Sequence, residues 1–305
     1  MAKNNIPVVV ANVHHEILCR DAYAAGQFFQ DIFGSTQVEI DFSKNIEKDF
    51  ELKCRHEKIN GRIYQFITPN DEVSNKLKNW YDRSILPGIH NVTFAVSDAE
   101  ALAAKMRRMG VASMGEVISK TPDMEHDCKV YMYDATKQCG MRFEFIQADM
   151  SAPAPDPEPV VPGPVILGNV HLEMLVDNPA EAEAFMEEVF GAERCEVAFA
   201  RNIEEDFELT NRHVSLAGDT YQLIRPNDSV SGPLKNWYDR DVQPGIHNVT
   251  FAVADAEGLA RKLREAGCRC MGTMLSKAPN MVDDCLVYMY DATEQCGMRF
   301  EFVQA

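Results

Sequence analysis

The chain has 305 residues, which is enough for two ordinary domains, and its 46% hydrophobic and 25% charged residues are typical of a soluble globular protein. Its 47 acidic and 30 basic residues give a net charge of −17, which repels phosphate backbones and anionic lipid surfaces. We therefore exclude nucleic acid and membranes as main partners. The N-terminus lacks a secretory signal, and nine cysteines without a Cys-x-x-Cys pair favour free thiols, so we expect a cytoplasmic protein.

The first predicted module begins with a strand over Asn12–Cys19, where polar and apolar residues roughly alternate. Apolar residues at helical spacing predict a helix over Ala22–Phe33 that ends at Gly34. Three further strands are predicted over Gln37–Phe42, Phe50–His56 and Ile63–Ile67, and Asn60-Gly61 is typical of the hairpin before the last one. The element order is βαβββ.

The same order returns in the second predicted module. A strand begins at His90, Asp98 caps a helix that runs through Arg108, and Gly110 ends it. Three strands follow, and the last two cover Cys128–Tyr133 and Met141–Gln147. One unit of two βαβββ modules therefore fills the first half of the chain.

This whole unit is present twice. The ten residues Pro87–Val96 recur letter for letter as Pro244–Val253, 157 positions later, and the same offset relates the copies nearly everywhere. The proline-rich residues 149–164 form an extended spacer. We predict an α+β fold with four modules in two domains, residues 1–148 and 165–305.

Residues that could bind a metal recur at matching places in both copies. In the first copy they lie at the start of a strand (His14, His90) or on the last strand of a module (Gln65, Glu144). Their counterparts are His171, Gln222, His247 and Glu301. A single histidine at a strand start is more often an ordinary core or edge residue. All eight residues are unchanged between copies that differ elsewhere, however, and two imidazoles, a carboxylate and an amide suit a first-row divalent cation.

The paired βαβββ modules with these residues resemble the vicinal oxygen chelate superfamily. The local sequences Tyr64–Pro69 and Gly88–Val96 are most similar to its epimerase-like and glyoxalase-I-like members. The resemblance implies curved mixed sheets that form a metal-binding trough, with the metal held by the eight residues above. It also implies Co, Ni, Zn or Mn as the cofactor.

The resemblance further implies an epimerase, isomerase or lyase. Its substrate would be a small hydroxy, keto or carboxy compound with adjacent oxygens, and the metal would stabilise an enediolate. A glutamate near the metal would move the proton. The candidates are Glu47 and Glu204, with Glu51 and Glu208 as alternatives.

Two other functions stay open. An Fe(II)-dependent extradiol dioxygenase would also have four modules. Tyr290, with its counterpart Tyr133, lies near the place of a tyrosine in that family, so both are candidate catalytic residues in the site. The first copy also has His126 near the expected proton-handling position. The third possibility is a non-catalytic, resistance-type protein that binds a small molecule.

The substrate pocket has further candidates in each copy. Arg83 and Arg240 follow the tryptophans and are candidate carboxylate anchors, although the tryptophan loop is better explained as a packing plug. His56 and His213 lie on a predicted strand that faces the trough. The sequence leaves open whether modules pair as one with two and three with four, or as one with four and two with three, and whether the chain forms a homodimer.

Overall fold

The computed structural model describes residues 9–40, 47, 52–69, 89–119, 128–148, 165–197, 210–225, 246–276 and 285–305. Within these ranges no helix is long and apolar enough to cross a membrane. Eight cysteines in the described part of the chain are free thiols, as the sequence predicted.

The first half of the chain forms one eight-stranded sheet. In chain order its strands are β1 (Val9–Leu18), β2 (Thr36–Val38), β3 (Lys53–Ile59), β4 (Arg62–Thr68), β5 (Asn91–Val96), β6 (Ala112–Ser119), β7 (Cys128–Ala135) and β8 (Met141–Gln147). Their order across the sheet is β2-β3-β4-β1-β5-β8-β7-β6. Strand β1 is parallel to β4 and antiparallel to β5, which is parallel to β8. Modules one and two therefore share a sheet, which answers the pairing question that the sequence left open.

The second half repeats this sheet strand for strand. Its strands are β9 (Ile166–Leu175), β10 (Glu193–Arg194), β11 (Thr210–Leu216), β12 (Asp219–Arg225), β13 (Ile246–Val253), β14 (Arg269–Ser276), β15 (Cys285–Ala292) and β16 (Met298–Gln304). Their order is β10-β11-β12-β9-β13-β16-β15-β14, in which every strand takes the place of its counterpart eight strands earlier. The mixed sheets confirm the predicted α+β fold with a duplicated unit.

The described helices begin and end where local chemistry satisfies their free backbone groups. They are α1 (Ala22–Phe33), α2 (Ala99–Arg108), α3 (Thr136–Cys139), α4 (Pro179–Phe190), α5 (Ala256–Glu265) and α6 (Thr293–Cys296). At the start of α1 the Asp21 carboxylate accepts hydrogen bonds from the backbone nitrogens of Tyr23 and Ala24. At its end Gly34 has a φ of 72°, a conformation that glycine adopts without strain.

The two faces of each sheet have different chemistry, because successive side chains of a strand point to opposite faces. One face of the first sheet is apolar and packs against helices, with fully buried rings that include Tyr64, Phe66, Phe94, Phe143 and Phe145. The opposite face is polar. Its side chains follow from the strand register, in which Glu16 is paired with Gln65 and Asn91, His14 with Thr93, and Thr93 with Glu144.

The two halves share one hydrophobic core, in which a helix from each half packs against the other half's sheet. The ring of Phe33 on α1 lies 4.8 Å from that of Phe300 on β16. In the same way, the ring of Phe190 on α4 lies 4.6 Å from that of Phe143 on β8. The apolar faces of the two sheets are therefore covered by this packing, and the polar faces carry the candidate site residues.

Candidate metal centre on the polar face of each sheet

The four candidate ligands of the first half lie together on the polar face of its sheet. His14, Gln65 and Glu144 project from the central strands β1, β4 and β8, and His90 immediately precedes β5. His14, Gln65 and His90 are buried, and Glu144 is partly buried. The second half places His171, Gln222, His247 and Glu301 in the corresponding positions, and all four are buried.

A threonine hydroxyl links two of these candidate ligands. Thr93 Oγ1 donates to Glu144 Oε2 at 3.1 Å and lies 3.0 Å from His14 Nε2. In the second half Thr250 Oγ1 lies 3.0 Å from both His171 Nε2 and Glu301 Oε2. One small hydroxyl contacts both groups, so the histidine and the glutamate converge on the same place.

A carboxylate that the sequence analysis missed lies beside the second histidine. Glu16 Oε1 accepts hydrogen bonds from His90 Nδ1 and from Asn91 Nδ2, each at 3.0 Å. The same Asn91 nitrogen lies 3.4 Å from Glu144 Oε1, so Asn91 bridges the two carboxylates. Glu16 is two residues after His14 on one strand, and this spacing was the available sequence signal for a shared face.

The second half repeats this arrangement with nearly the same distances. Glu173 Oε1 lies 2.9 Å from His247 Nδ1 and 3.0 Å from Asn248 Nδ2. Asn248 Nδ2 lies 3.5 Å from Glu301 Oε1. The carboxylate beside the histidine is therefore part of both candidate sites.

Burial changes the protonation of these groups. Burial lowers the pKa of His14 and of His90 well below the ordinary value, so both imidazoles are neutral at physiological pH. Burial raises the pKa of Glu16, and it raises the pKa of Glu144, which the negative charge of Glu16 raises further. A cation among these side chains would favour the ionised carboxylates, and neutral imidazoles are the form that binds metals.

The donor set fits a first-row divalent cation, which binds imidazole nitrogen and carboxylate oxygen at about 2.0–2.2 Å. Within the described residues, no group of three or more His, Cys, Asp and Glu side chains is already arranged as a metal site. In the second half His171 Nε2 lies 4.0 Å from Glu301 Oε2. A cation bound by both side chains would take the place of the threonine hydroxyl that contacts them.

The candidate pocket histidines lie on the same polar face. His56 on β3 is paired with Gln65, and its ring centre lies 5.9 Å from that of His14. His213 lies 5.7 Å from His171 by the same measure. Burial lowers the pKa of His56 to about 4, so this side chain is neutral at physiological pH.

One neighbouring position that the structure describes differs between the two candidate sites in a way that changes their contacts. In the first half Cys54 Sγ lies 3.6 Å from Gln65 Nε2 and 3.9 Å from His56 Nε2. The corresponding residue of the second half is Asn211, whose Nδ2 lies 3.5 Å from His213 Nδ1. Burial raises the pKa of Cys54 to about 12, so its thiol stays protonated.

Glu47, a candidate proton carrier, is exposed near the first-half site. Its Oε1 accepts a hydrogen bond from Tyr23 Oη and another from the backbone nitrogen of Cys54, each at 2.6 Å. The other candidate glutamates and the remaining pocket candidates are outside the described residues; they are Glu51, Glu204, Glu208, Arg83, Arg240 and His126.

The expectation that Tyr133 and Tyr290 line the site is wrong. Tyr133 is paired with Phe143 rather than Glu144, so it points to the helix side of the sheet. Its hydroxyl donates to the backbone oxygen of Ala103 at 3.1 Å and accepts from Arg107 at 3.2 Å. Tyr290 accepts from Arg264 at 2.7 Å in the second half. Both tyrosines are buried in the core.

A buried arginine is a second feature that the sequence analysis missed. Arg142 lies two residues before Glu144 on β8, is paired with Asn91, and forms an ion pair with Asp134 at 3.2 Å. Burial is the main cause of the lowered pKa of His90, and the positive charge of Arg142 is the second cause. Arg299 repeats this position and pairs with Asp291 at 3.5 Å. Each polar face therefore has a guanidinium close to its second histidine.

Comparisons with known proteins agree with this fold. Residues 168–302 match the family model of the Glyoxalase/Bleomycin resistance protein/Dioxygenase superfamily. No curated protein matches the chain. Among solved structures, a triple mutant of 4-hydroxymandelate synthase from Streptomyces coelicolor is 14% identical, with a TM-score of 0.61 over 97% of this chain and 93% of that one. At this identity the likeness shows a shared fold.

The family match covers the second half directly. The first half has the same strand order and the same residues at all four candidate ligand positions. Residues 168–302 are therefore a domain of the superfamily of glyoxalases, bleomycin resistance proteins and dioxygenases, the vicinal oxygen chelate superfamily, and the first half is similar to this domain through the repeat.

Proposed function

We propose that the protein is a divalent-metal-dependent enzyme with one site in each half. The metal ligands would be His14, Gln65, His90 and Glu144, with their counterparts in the second half. The substrate would be a small molecule with two adjacent oxygens, and the reaction a proton transfer that leads to epimerisation, isomerisation or elimination. The observation that supports this proposal is the repetition, in both halves, of one donor set on the polar face with the same hydrogen bonds.

The bound cation would stabilise negative charge on the two substrate oxygens. The protein's own residues would position the ligands. Because Glu16 accepts the Nδ1 proton of His90, the other nitrogen, Nε2, keeps its lone pair for a ligand bond. Thr93 and Asn91 hold the two oxygens of Glu144, which limits its rotation.

Glu47 is the proposed proton carrier of the first half. Its carboxylate is held beside β3 by the Tyr23 hydroxyl and the Cys54 backbone, one strand away from Gln65. Because it is exposed, Glu47 can exchange a proton with solvent between turnovers. By the repeat, Glu204 would have this role in the second half.

An Fe(II)-dependent dioxygenase is the second candidate function. It is supported by the match of residues 168–302 to a superfamily that includes dioxygenases and by the likeness to 4-hydroxymandelate synthase, which extends over 93% of that chain. The buried Gln65 and Gln222 favour the redox-neutral function, because a site of two histidines and one carboxylate has no use for them. A non-catalytic binding protein is the third candidate.

The deciding experiment is the metal content of protein purified without added metal or chelator. We expect about two equivalents of Co, Ni, Zn or Mn per chain, and about one equivalent in His90→Ala or His247→Ala. His56→Ala is the matched control and should keep both equivalents, since His56 is proposed to line the pocket. Iron, with activity lost in air, would support the dioxygenase. No metal after reconstitution would exclude both enzymes and leave the binding protein.

A further inference from the structure

The two halves are related by a quasi-twofold axis that passes between Ile89 and Ile246. These isoleucines are equivalent residues of the repeat, and they form an isolated antiparallel bridge. The Ile89 nitrogen donates to the Ile246 oxygen at 2.8 Å, and the Ile246 nitrogen donates to the Ile89 oxygen at 2.9 Å. Reciprocal bonds between equivalent residues arise where a twofold axis passes between them.

Contacts away from the axis obey the same symmetry. The Phe33–Phe300 contact of one half with the other is repeated by Phe190 and Phe143, their equivalents, with ring distances of 4.8 Å and 4.6 Å. An interface of this kind would also suit two identical halves from different chains, because each surface is nearly the same as its partner.

One contact between equivalent positions breaks the symmetry. Arg62 and Asp219 occupy the same position of the two copies, and they form an ion pair with each other. The Arg62 guanidinium also donates to the backbone oxygen of Gly218. The Asp219 side chain is only 2% exposed and that of Arg62 is 20% exposed. The duplicated position therefore carries opposite charges in the two halves.

The surroundings of Asp219 add to this asymmetry. Its Oδ2 accepts from Asn12 Nδ2 and lies 3.4 Å from His15 Nε2. The equivalent of His15 in the second half is the apolar Leu172. If two copies of the second half associated through this surface, two aspartates would be buried against each other, and neither would have a residue equivalent to His15 beside it. Two first halves would bring two arginines together. Both arrangements leave buried like charges uncompensated, which is strongly unfavourable.

We propose that the Arg62–Asp219 pair makes each half of this chain select the other, non-identical half as its partner. The surface around the quasi-twofold axis is then an interaction surface for the complementary half, and it rejects a second copy of itself. A homodimer of the whole chain, if one forms, uses another surface. This inference does not depend on the proposed enzyme activity.

Charge reversal in the full chain tests the proposal. Arg62→Asp and Asp219→Arg each place like charges against one another, and each should lower the melting temperature by about 5 °C or more. The double variant Arg62→Asp/Asp219→Arg restores opposite charges and should recover at least half of that loss. If a reversed variant does not fold, Arg62→Gln, which removes the charge without reversing it, should give a smaller decrease.

An exposed ion pair between the halves provides the matched control. Arg20 pairs with Glu294, and both side chains are more than half exposed. Reversing either of these charges should leave the melting temperature within about 2 °C, because exposed pairs contribute little. The proposal is overturned if the Arg62 and Asp219 variants behave like this control, or if the double reversal is no more stable than its single variants.

Discussion

At the scale of single residues, Glu16 and Glu173 hold the Nδ1 atoms of His90 and His247, the histidines that we propose as metal ligands. The Glu16 carboxylate accepts a hydrogen bond from Nδ1–H of His90. Glu16→Gln replaces this carboxylate with a neutral amide, whose NH₂ group can turn toward the imidazole and no longer accept that bond. Loss of such an outer partner typically lowers metal affinity about 10–100-fold. We expect this decrease for the first-half site in Glu16→Gln, measured by calorimetric titration of the metal-free protein with Zn²⁺.

Glu57→Gln is the control for that measurement. Glu57 is also buried on a strand of the first sheet, β3, but it faces the helices, where it pairs with Arg55 at 2.7 Å and accepts from Ser35. This variant should bind zinc with unchanged affinity at both sites. Equal affinities for Glu16→Gln and the unmodified protein would show that Glu16 does not position His90.

At the scale of elements, β7 and β15 point their tyrosines away from the site. Tyr133→Phe and Tyr290→Phe remove hydroxyls that are bonded to α2 and α5. We expect each to lower the free energy of unfolding by about 1 kcal/mol and to leave kcat unchanged. Urea unfolding and steady-state kinetics with any accepted substrate would check this pair of results. A tenfold loss of kcat without a loss of stability would show that the tyrosines do act in the site.

Local signals predicted whole elements well. The helix Ala22–Phe33 and the strand Met141–Gln147 have the predicted bounds, and Asn60-Gly61 makes the predicted hairpin with φ values of 48° and 80°. Caps, glycines and turn dipeptides act over a few residues, so a single sequence reveals them. The residues between the predicted strands Cys128–Tyr133 and Met141–Gln147 include the one-turn helix α3.

Which face a side chain occupies was harder to predict than the element it belongs to. The pairing of β1 with β5 shifts register between Asn12 and His14, so strict alternation along the strand does not hold there. The sequence placed the four ligands together through the family resemblance. It missed Glu16, whose contact with His90 depends on how β1 pairs with β5, and it misplaced Tyr133, whose side depends on how β7 pairs with β8.

At the scale of the whole molecule, the repeat offset predicted the duplication but could not predict how the halves meet. The difference between Arg62 and Asp219 is visible in the sequence as one of many between the copies. Only the contact between them shows that these two positions face each other across the axis. Long-range placement of this kind depends on packing between elements that are far apart in the chain.

The buried carboxylates give the metal-free protein a distinctive pH dependence. Burial raises the pKa of Glu144 and of Glu301 to about 8, so the folded state holds protons that the unfolded state has released. The free energy of unfolding must then fall as pH rises toward 8. Above pH 7 the histidines contribute little to this change, because they are neutral in the folded state and nearly neutral in the unfolded state. We expect a loss of about 2–3 kcal/mol between pH 7 and 8 in urea unfolding with a chelator present.

Bound metal should remove this dependence. The carboxylates bind a cation as anions, so the folded state no longer holds the extra protons, and saturating Zn²⁺ should make the stability nearly constant over the same range. A metal-free protein whose stability is constant or rises from pH 7 to 8 would contradict the raised pKa values.

Alanine substitutions at two glycines distinguish the stability cost of a clash between the halves from the cost of local backbone strain. Gly140 and Gly110 both have positive φ, 77° and 73°, so alanine is strained at either position by about 1–2 kcal/mol. A Cβ at Gly140 would also clash with the backbone oxygen of Leu175 in the other half, whereas a Cβ at Gly110 would meet nothing within 4 Å. We therefore expect Gly140→Ala to lower the free energy of unfolding by at least about 2 kcal/mol more than Gly110→Ala, because the halves must shift apart. Gly297 faces the backbone oxygen of Leu18 in the same way, so Gly297→Ala should show the larger loss of unfolding free energy as well. Equal losses for Gly140→Ala and Gly110→Ala in urea unfolding would mean that the halves do not meet at Gly140.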